Sequence, residues 1–353
     1  MHLAPVRSTR TTVFSDAIKT ELEKEVAGQT LAVNTVVRGV TRLASGFTPR
    51  ERSMCAYMFM GPPGTGKSHV IQALARLLHG DTQRVAIVDA GELARSDPTA
   101  AFAAQLAPVV SAPMVSNAGP PPPGVSLDLP PLSIIQVEFL ERATTEACTA
   151  LASILETGRL TYPDGRRGIL RNCMVFLTSR LCCREILDEA PQIGFSGALN
   201  EDDGDYEDRL YKLCYEEAVQ KFGGDLMGQL DRFVVFHRLQ EEHLTAILDR
   251  RFARLNQWLG THRFQCELQP LAREFLLERG LRDLHLGARD LLRAHQQFVE
   301  FPVADLLISG RIQAGGSVLI DRRPEEEHLH FTVAEHRAED LTSSPHVREI
   351  PVG

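Results

Sequence analysis

The chain has 353 residues, of which 43% are apolar, and its 38 basic and 46 acidic residues give a formal net charge of −8. This length predicts about two domains, the apolar fraction is too high for a disordered chain, and the acidic balance disfavours a dedicated nucleic-acid binder. The seven cysteines include no CxxC pair, so we expect neither a disulfide framework nor a zinc site, and a reducing compartment.

The sequence contains no recognisable targeting or membrane segment. Residues 1–14 lack the apolar stretch of a signal peptide. The longest uncharged stretch, 98–127, is interrupted by prolines and cannot be a membrane helix. We therefore expect a soluble, cytoplasmic protein without membrane contact.

Five short apolar runs predict buried parallel strands, at 56–60, 85–88, 133–138, 173–178 and 232–236. Helical patterns precede and separate them, at 16–25, 29–44, 68–78, 141–156 and 210–222. Strands that alternate with helices predict an α/β fold, in which a parallel sheet carries helices on both faces.

The pattern of predicted elements changes after residue 240, from alternating strands and helices to mainly helices. Helices are predicted at 242–259, 270–279 and 287–301, followed by a terminal hairpin at 317–321 and 328–333. We divide the chain into a lead-in, a large α/β domain, a smaller α-rich domain and a tail, at 1–14, 15–240, 241–336 and 337–353. Two segments of the large domain are predicted to be irregular, an acidic loop at 196–208 and an Ala/Pro-rich insertion at 98–131. A flexible loop is the favoured interpretation of the insertion, and a partner-docking segment around 120–123 is the alternative.

A glycine-rich segment between a predicted strand and a predicted helix matches the pattern GxxxxGK[ST]. Glycines let the backbone wrap a phosphate, and successive N–H groups with the helix N-terminus donate to it. The lysine reaches the β- and γ-phosphates, and the serine hydroxyl can bind Mg²⁺. The residues of this phosphate loop are Gly61, Pro62, Pro63, Gly64, Thr65, Gly66, Lys67 and Ser68.

Together with five other segments, in the same order along the chain, this loop resembles the second ATPase module of the Clp-type AAA+ ATPases. The segments are 26–29 (VAGQ), 155–166 (LETGRLTYPDGR), 230–236 (LDRFVVF), 286–289 (LGAR) and 301–307 (FPVADLL). The resemblance extends from about Val26 to Asp321. It implies an AAA+ P-loop domain followed by a small C-terminal domain.

The resemblance also implies how a nucleotide is bound. Val26 and Ala27 would flank the adenine, His69 would follow the phosphate loop, and Arg289 would report on the γ-phosphate from the small domain. The implied cofactors are ATP and Mg²⁺. The implied partners are other AAA+ subunits, in a homo- or hetero-oligomer, and a further protein, whereas nucleic acid is not expected.

The family's Asp-Glu pair at the end of the third strand is degraded in this chain. In the family the Asp orders Mg²⁺ and the Glu polarises the attacking water. The matching residues here are Glu138 and Phe139, so Glu138 is the candidate for the metal-binding carboxylate. In a register shifted by one residue, Glu138 would be the catalytic base and Val137 would occupy the metal position. One of the two carboxylates is missing in either register.

Two further positions depart from the family. Sensor 1, normally an Asn after the fourth strand, reads Ser179-Arg180 here, and the arginine finger aligns with Gln229, with Arg232 as a less favoured substitute. A positioned base contributes roughly 10²–10⁴-fold to the rate of hydrolysis, and an arginine finger roughly 10³–10⁵-fold.

We therefore expect an ATP-binding AAA+ protein with impaired hydrolysis, acting as a nucleotide-controlled assembly scaffold or regulatory subunit. An active Clp- or torsin-type ATPase that remodels a protein partner and a DNA-associated AAA+ regulator are the alternatives.

Other residues carry weaker signals. The aromatic pore-loop motif of Clp unfoldases is missing, and Phe102 and Tyr162 are the only aromatic candidates. Cys182 and Cys183 are interpreted as buried thiols rather than a redox pair. His328 and His330 flank Leu329 in a predicted edge strand, where a metal site is the less favoured interpretation.

Overall fold

A five-stranded parallel sheet forms the centre of the first of two units, residues 1–238 and 239–353, into which the computed structural model divides the chain. The residues that the structure describes are 9–45, 54–94, 97–110, 132–162, 164–165, 167–170, 172–188, 202–282, 287–312, 315–323, 326–335 and 346–350.

The first unit alternates strands and helices, as the sequence predicts. Its strands are β1 (Met54–Met60), β2 (Val85–Asp89), β3 (Ser133–Glu138), β4 (Arg159–Thr161), β5 (Arg167–Ile169), β6 (Cys173–Ser179) and β7 (Arg232–Val235). Its helices are α1 (Thr9–Glu25), α2 (Thr30–Ala44), α3 (Lys67–His79), α4 (Pro98–Val110), α5 (Thr145–Thr157), α6 (Cys183–Asp188), α7 (Asp202–Phe222) and α8 (Gly224–Gly228).

The central sheet has the order β2-β3-β6-β1-β7, and each neighbouring pair is parallel. Alternate residues of β1 enter two separate apolar layers: Met58 packs into the layer that includes α4, α5 and α7, and Phe59 into the layer that includes α1, α2 and α3. A parallel sheet covered on both faces is thereby confirmed. The five predicted strands are present, and their carboxyl ends lie at one edge of the sheet.

Helix α2 is fastened to the start of β1. Arg42 donates one hydrogen bond to Asp231 Oδ1 at 2.8 Å and another to the carbonyl of Met54 at 2.8 Å. The other oxygen of Asp231 accepts from the Ala56 N–H at 2.7 Å. These bonds fix the amino ends of β1 and β7 together, and thus the strand from which the phosphate loop emerges.

Part of the segment predicted to be an irregular insertion is helical. Helix α4 begins at Pro98, where proline is tolerated because its missing N–H would have no helical partner. Asp97 accepts a hydrogen bond from the Thr99 N–H at 3.0 Å, as helix caps do. Phe102 and Leu106 pack into the core. The remainder of the predicted insertion, from 111 to 131, lies outside the described residues.

The predicted acidic loop is also wrong in part, because α7 begins at Asp202 rather than near 210. Acidic residues are tolerated in the first turns of a helix, where the positive end of the helix dipole lies. Helix α1 likewise begins at Thr9, inside the predicted lead-in. Strands β4 and β5 form a small antiparallel hairpin that the sequence reading did not predict.

The second unit combines helices with a four-stranded sheet. Its helices are α9 (Glu241–Thr261), α10 (Pro270–Gly280), α11 (Ala288–His295) and α12 (Phe301–Ile308), with a π-helical turn, Gln296–Glu300, joining the last two. Its strands are β8 (Gln265–Leu268), β9 (Ser317–Asp321), β10 (His330–Glu335) and β11 (His346–Ile350), in the order β11-β10-β9-β8.

The hairpin of β9 and β10 was predicted, but its two neighbours were not. Strand β8 joins β9 in parallel, and β11 joins β10 in antiparallel orientation. The predicted tail therefore contains a strand, because β10 leaves an edge whose backbone groups need partners. Among the helices that the structure describes, none combines the length and the apolar character needed to cross a bilayer.

Candidate functional site

The phosphate loop joins β1 to α3 at the carboxyl edge of the sheet. Gly61 donates its N–H to the carbonyl of Ser179, the last residue of β6, at 3.2 Å. Its φ is +145°, and a Cβ atom there would lie 2.5 Å from the Phe236 carbonyl oxygen. Gly64 and Gly66 also have positive φ, of 74° and 102°. The loop shape therefore requires glycine at these positions.

The side chains of the loop fold onto its own carbonyls. Lys67 Nζ donates to the carbonyl oxygens of Gly61 and Pro62 at 2.5 and 2.6 Å, and Thr65 Oγ1 donates to Pro62 O at 2.8 Å. Pro63, which follows Pro62 in the loop, is half-buried. Helix α3 begins at Lys67 without a side-chain cap, so the positive end of its dipole adjoins the loop. The loop thus combines an ammonium group with a helix N-terminus, the usual donors to a phosphate.

The structure brings the first residue after Lys67 to the end of β3. Ser68 Oγ lies 3.4 Å from Glu138 Oε1, and the buried Gln136 donates its Nε2 to both oxygens, at 2.8 and 2.7 Å. Val137 is fully buried in the core. This geometry favours the register in which Glu138 takes the metal-binding position. A hydroxyl and a carboxylate oxygen are ligands that Mg²⁺ accepts, so the residues present fit this ion.

The residue after Glu138 is an aromatic ring in contact with two guanidinium groups. Phe139 has left-handed φ, +56°, and its ring centroid lies 4.4 Å from the Cζ of Arg142 and 4.8 Å from the Cζ of Arg180. The N–H of Arg180 donates to Glu141 Oε2 at 3.1 Å, which fixes the backbone there. The edge of the sheet next to Glu138 therefore presents a ring and two cations. We call these three residues, Arg142, Phe139 and Arg180, the arginine–phenylalanine stack.

The predicted adenine-side residues lie around the start of α3. Gln29 donates to the carbonyl of His237 at 3.1 Å, and His69 Nε2 lies 3.0 Å from the carbonyl oxygen of Glu25. These contacts place the turn after α1 beside both α3 and the end of β7. The predicted residues brought together here are Val26, Ala27 and His69.

Other predicted residues lie away from this edge or in the second unit. Arg289 is exposed in the first turn of α11, within the second unit. Gln229 follows α8 at its C-terminal end. Arg232 begins β7 and pairs with Tyr57, so it stands several residues before the carboxyl end of its strand. Arg232 is therefore not close to the phosphate loop of its own chain.

Neither aromatic pore-loop candidate is freely exposed. The Phe102 side chain is buried in the core of the first unit, which makes it unsuited to contact a threaded polypeptide. Tyr162 is partly buried and packs against the same core.

Cys182 is buried, and Cys183 donates its thiol to the carbonyl of Arg180 at 2.5 Å. Burial raises the pKa of the Cys183 thiol, which keeps it protonated and unreactive.

Sequence reasoning missed Gln136 and Arg142 as parts of this site. A polar residue inside the apolar run 133–138 was the available signal for Gln136, since it lies two residues before Glu138 and so on the same face of the strand. The position of Arg142 depends on the turn after β3, which composition does not reveal.

Comparison with known proteins agrees with this architecture. The family model "AAA domain (Cdc48 subfamily)" matches residues 52–232, half of the chain, and the model "C-terminal, D2-small domain, of ClpB protein" matches residues 239–320. The chain is 26% identical over 338 residues to the ATP-dependent Clp protease ATP-binding subunit ClpC of Staphylococcus aureus (strain USA300), covering 93% of this chain and 39% of that protein. It is 28% identical over 310 residues to the chaperone protein ClpB of Rhodopseudomonas palustris, covering 85% of this chain and 32% of that protein.

A solved structure shares the fold. The S. cerevisiae Hsp104–ADP complex matches with a TM-score of 0.71 and 20% identity, over 92% of this chain and 53% of that one. The chain thus spans 39% and 32% of the length of these two curated relatives. Because the two family models match the two units in order, the chain belongs to the AAA domain family, as a Clp-type AAA+ ATPase.

Proposed function

We propose that this protein binds ATP with Mg²⁺, hydrolyses it poorly, and uses ATP occupancy to control its assembly as a scaffold or regulatory subunit of a protein complex. The observation that carries the proposal is the arginine–phenylalanine stack. Phe139 follows Glu138 directly, at the position where the family has its water-polarising Glu. A phenyl ring cannot accept a proton from water, so the site keeps its binding groups and lacks the base.

The binding groups are complete in their chemistry. Lys67 and the N-terminus of α3 supply positive charge to the phosphates, and Ser68 and Glu138 would hold the metal ion. When bound, Mg²⁺ neutralises charge on the β- and γ-phosphate oxygens. Gln136 donates to both Ser68 and Glu138 and so holds the two oxygens near one another.

Arg180 adds a cation beside the phosphate loop. It follows Ser179, whose carbonyl accepts the N–H of the first loop residue, and its guanidinium group lies on the ring of Phe139. Stacking on Phe139 limits the conformations of the side chain. We propose that Arg180 contacts the terminal phosphate and thereby distinguishes ATP from ADP.

The missing base and the missing arginine finger are each expected to lower the rate of ATP hydrolysis by a large factor. A missing base costs roughly 10²–10⁴-fold, or about 3–5 kcal/mol of barrier at 1.36 kcal/mol for each factor of ten. A missing arginine finger costs roughly 10³–10⁵-fold. Effects at one site do not multiply in full, but either loss alone makes rapid turnover unattainable.

Restoration of the base tests the proposal. We compare phosphate release by the wild type with that of Phe139→Glu, Gln229→Arg and the double variant, under conditions that favour oligomers. Phe139→Gln is the matched control, because it removes the ring and adds no carboxylate. We expect a very slow wild type and a clear gain only in the double variant, since the base and the finger would act on one shared site.

An active Clp-type ATPase that remodels a protein partner is the second candidate. The supporting observation is that the resemblance to ClpC and ClpB spans both units of the chain. A brisk wild-type rate that collapses in Glu138→Gln would establish this candidate and refute impaired hydrolysis.

Assembly is tested separately. AAA+ modules bind nucleotide near subunit boundaries, so ATP should favour a larger species in sedimentation of the full chain. A monomer at every concentration, with and without ATP, would contradict self-assembly.

A further inference from the structure

Three side chains with metal-binding atoms meet at the start of β10, in the second unit. Glu326, His328 and His330 are spaced two residues apart in a segment that bends at residues 327 and 328 and leads into β10, whose first residue is His330. The residues between and after the histidines, Leu329 and Phe331, are buried in the apolar core, at 6% and 1% exposure. The two histidines therefore stand on the face of the chain that points away from the core.

The ligand atoms already converge. His328 Nε2 lies 3.0 Å from Glu326 Oε2, and His330 Nε2 contacts the same oxygen. One ligand atom from each residue lies within 4.8 Å of the other two, and the imidazole rings are 4.9 Å apart. The backbone of Glu326 is fixed as well, since its N–H donates to Arg323 O at 3.2 Å and its carbonyl accepts from Arg322 Nε at 2.9 Å.

The donor set favours a transition-metal ion over Mg²⁺ or Ca²⁺. Two imidazole nitrogens with one carboxylate oxygen suit zinc, whereas Mg²⁺ and Ca²⁺ take oxygen ligands. We propose that Glu326, His328 and His330 form a Zn²⁺ site, bound through Oε2 and the two Nε2 atoms. Three protein ligands leave a fourth position to solvent, on the side of His328, whose side chain is 65% exposed.

Hydrogen bonding offers a different account of the same contacts. A carboxylate can accept N–H groups from two imidazoles at once, and such a cluster would need no ion. Arg323 also acts electrostatically on Glu326, so a divalent ion would bind against one positive charge. The two accounts differ in one measurable property, the affinity of the cluster for zinc.

Calorimetry with zinc decides between them. The full chain, produced without a histidine tag and stripped with a chelator, is titrated with ZnCl₂, and binding of Co²⁺ is followed by its visible absorption. The ligand variants are Glu326→Gln, His328→Gln and His330→Gln. The matched controls are Glu327→Gln, the neighbouring acid, which is 84% exposed, and His262→Gln, an exposed histidine of the same unit.

We expect one binding event that weakens by at least about tenfold in each ligand variant and is unchanged in both controls, since even changes outside the ligand shell cost that much. The chain's cysteines can also take up zinc, so the variants decide the matter rather than the total stoichiometry. His328→Gln keeps the test independent of folding, because its side chain lies mostly in solvent. Equal affinity in ligand variants and controls, or no zinc binding by the wild type, would overturn the proposal.

Discussion

Replacement of Gly39 by alanine should destabilise the first unit, although alanine is the better helix former. Gly39 lies in α2 and faces Tyr57 of β1, and a Cβ atom there would stand 2.1 Å from the Tyr57 hydroxyl oxygen. That oxygen would have to retreat by about 1.3 Å to reach the 3.4 Å of ordinary contact. The Cβ would also lie 2.9 Å from Met174 Cε, which can move, and 3.0 Å from Tyr57 Cζ, which belongs to a buried ring.

The competing effects have known sizes. Alanine in place of glycine inside a helix gains about 1 kcal/mol, whereas overpacking a core costs about 1–3 kcal/mol. We therefore expect Gly39→Ala to lower the free energy of unfolding of the first unit by up to about 2 kcal/mol. In the Tyr57→Phe background the oxygen is gone, and the same change should be nearly neutral.

The chain allows the two units to be followed separately. All five tyrosines lie within residues 1–238, and the only tryptophan, Trp258, lies in the second unit. Urea denaturation monitored by tyrosine absorbance thus reports the first unit, with Trp258 fluorescence as the reference. Gly260→Ala in α9 is the control, since nothing lies within 4 Å of its new Cβ and the change should not destabilise. A Gly39→Ala variant that is stabilised, or that is destabilised equally with and without the Tyr57 hydroxyl, would refute the steric reasoning.

Three further predictions concern the nucleotide site and the second unit. Lys67→Ala should abolish the rise in melting temperature caused by ATP, because a ligand that binds only the folded state stabilises it; an unchanged rise would contradict the role of the loop. Arg180→Gln should weaken ATP more than ADP in equilibrium binding, and equal weakening of both would argue against contact with the terminal phosphate. Burial holds the pKa of His295 below its ordinary value despite the nearby Glu300, so the folded unit rejects a proton that the unfolded chain accepts. The contribution of His295 to the free energy of unfolding should be complete above about pH 6.5 and should decline as the pH falls. In unfolding followed by Trp258 fluorescence, His295→Phe should reduce this dependence of stability on pH. An unchanged pH dependence would exclude His295 as its source.

The strands and the phosphate loop could be predicted because their signals are local. The apolar run before Gly61 requires a buried strand, and the glycines that follow are required by backbone angles within the loop itself. The resemblance in the order of the family-like segments then pointed to Glu138 and to the adenine-side residues Val26, Ala27 and His69. None of these inferences needed knowledge of how distant segments pack.

The rest depends on contacts between segments far apart in sequence. Phe102 looks like a solitary aromatic in a proline-rich stretch, and only the sheet beside α4 makes it a core residue. The two arginines meet on Phe139 because β3 and β6 are neighbours, a pairing that no local pattern encodes. Strand β11 could not be predicted for the same reason, because its residues form a strand by pairing with the edge of β10.

The way in which Lys67 lies on the carbonyls of Gly61 and Pro62 bears on the entropy of ligand capture. In this arrangement two carbonyl oxygens of the loop receive the ammonium group, so the loop itself holds the lysine side chain in place. Ordering a lysine costs up to about 2 kcal/mol of rotamer freedom, and a preorganised group avoids most of that cost on binding. A phosphate loop whose lysine is held by its own carbonyls and whose backbone shape is set by its glycines therefore has little conformational freedom left to lose.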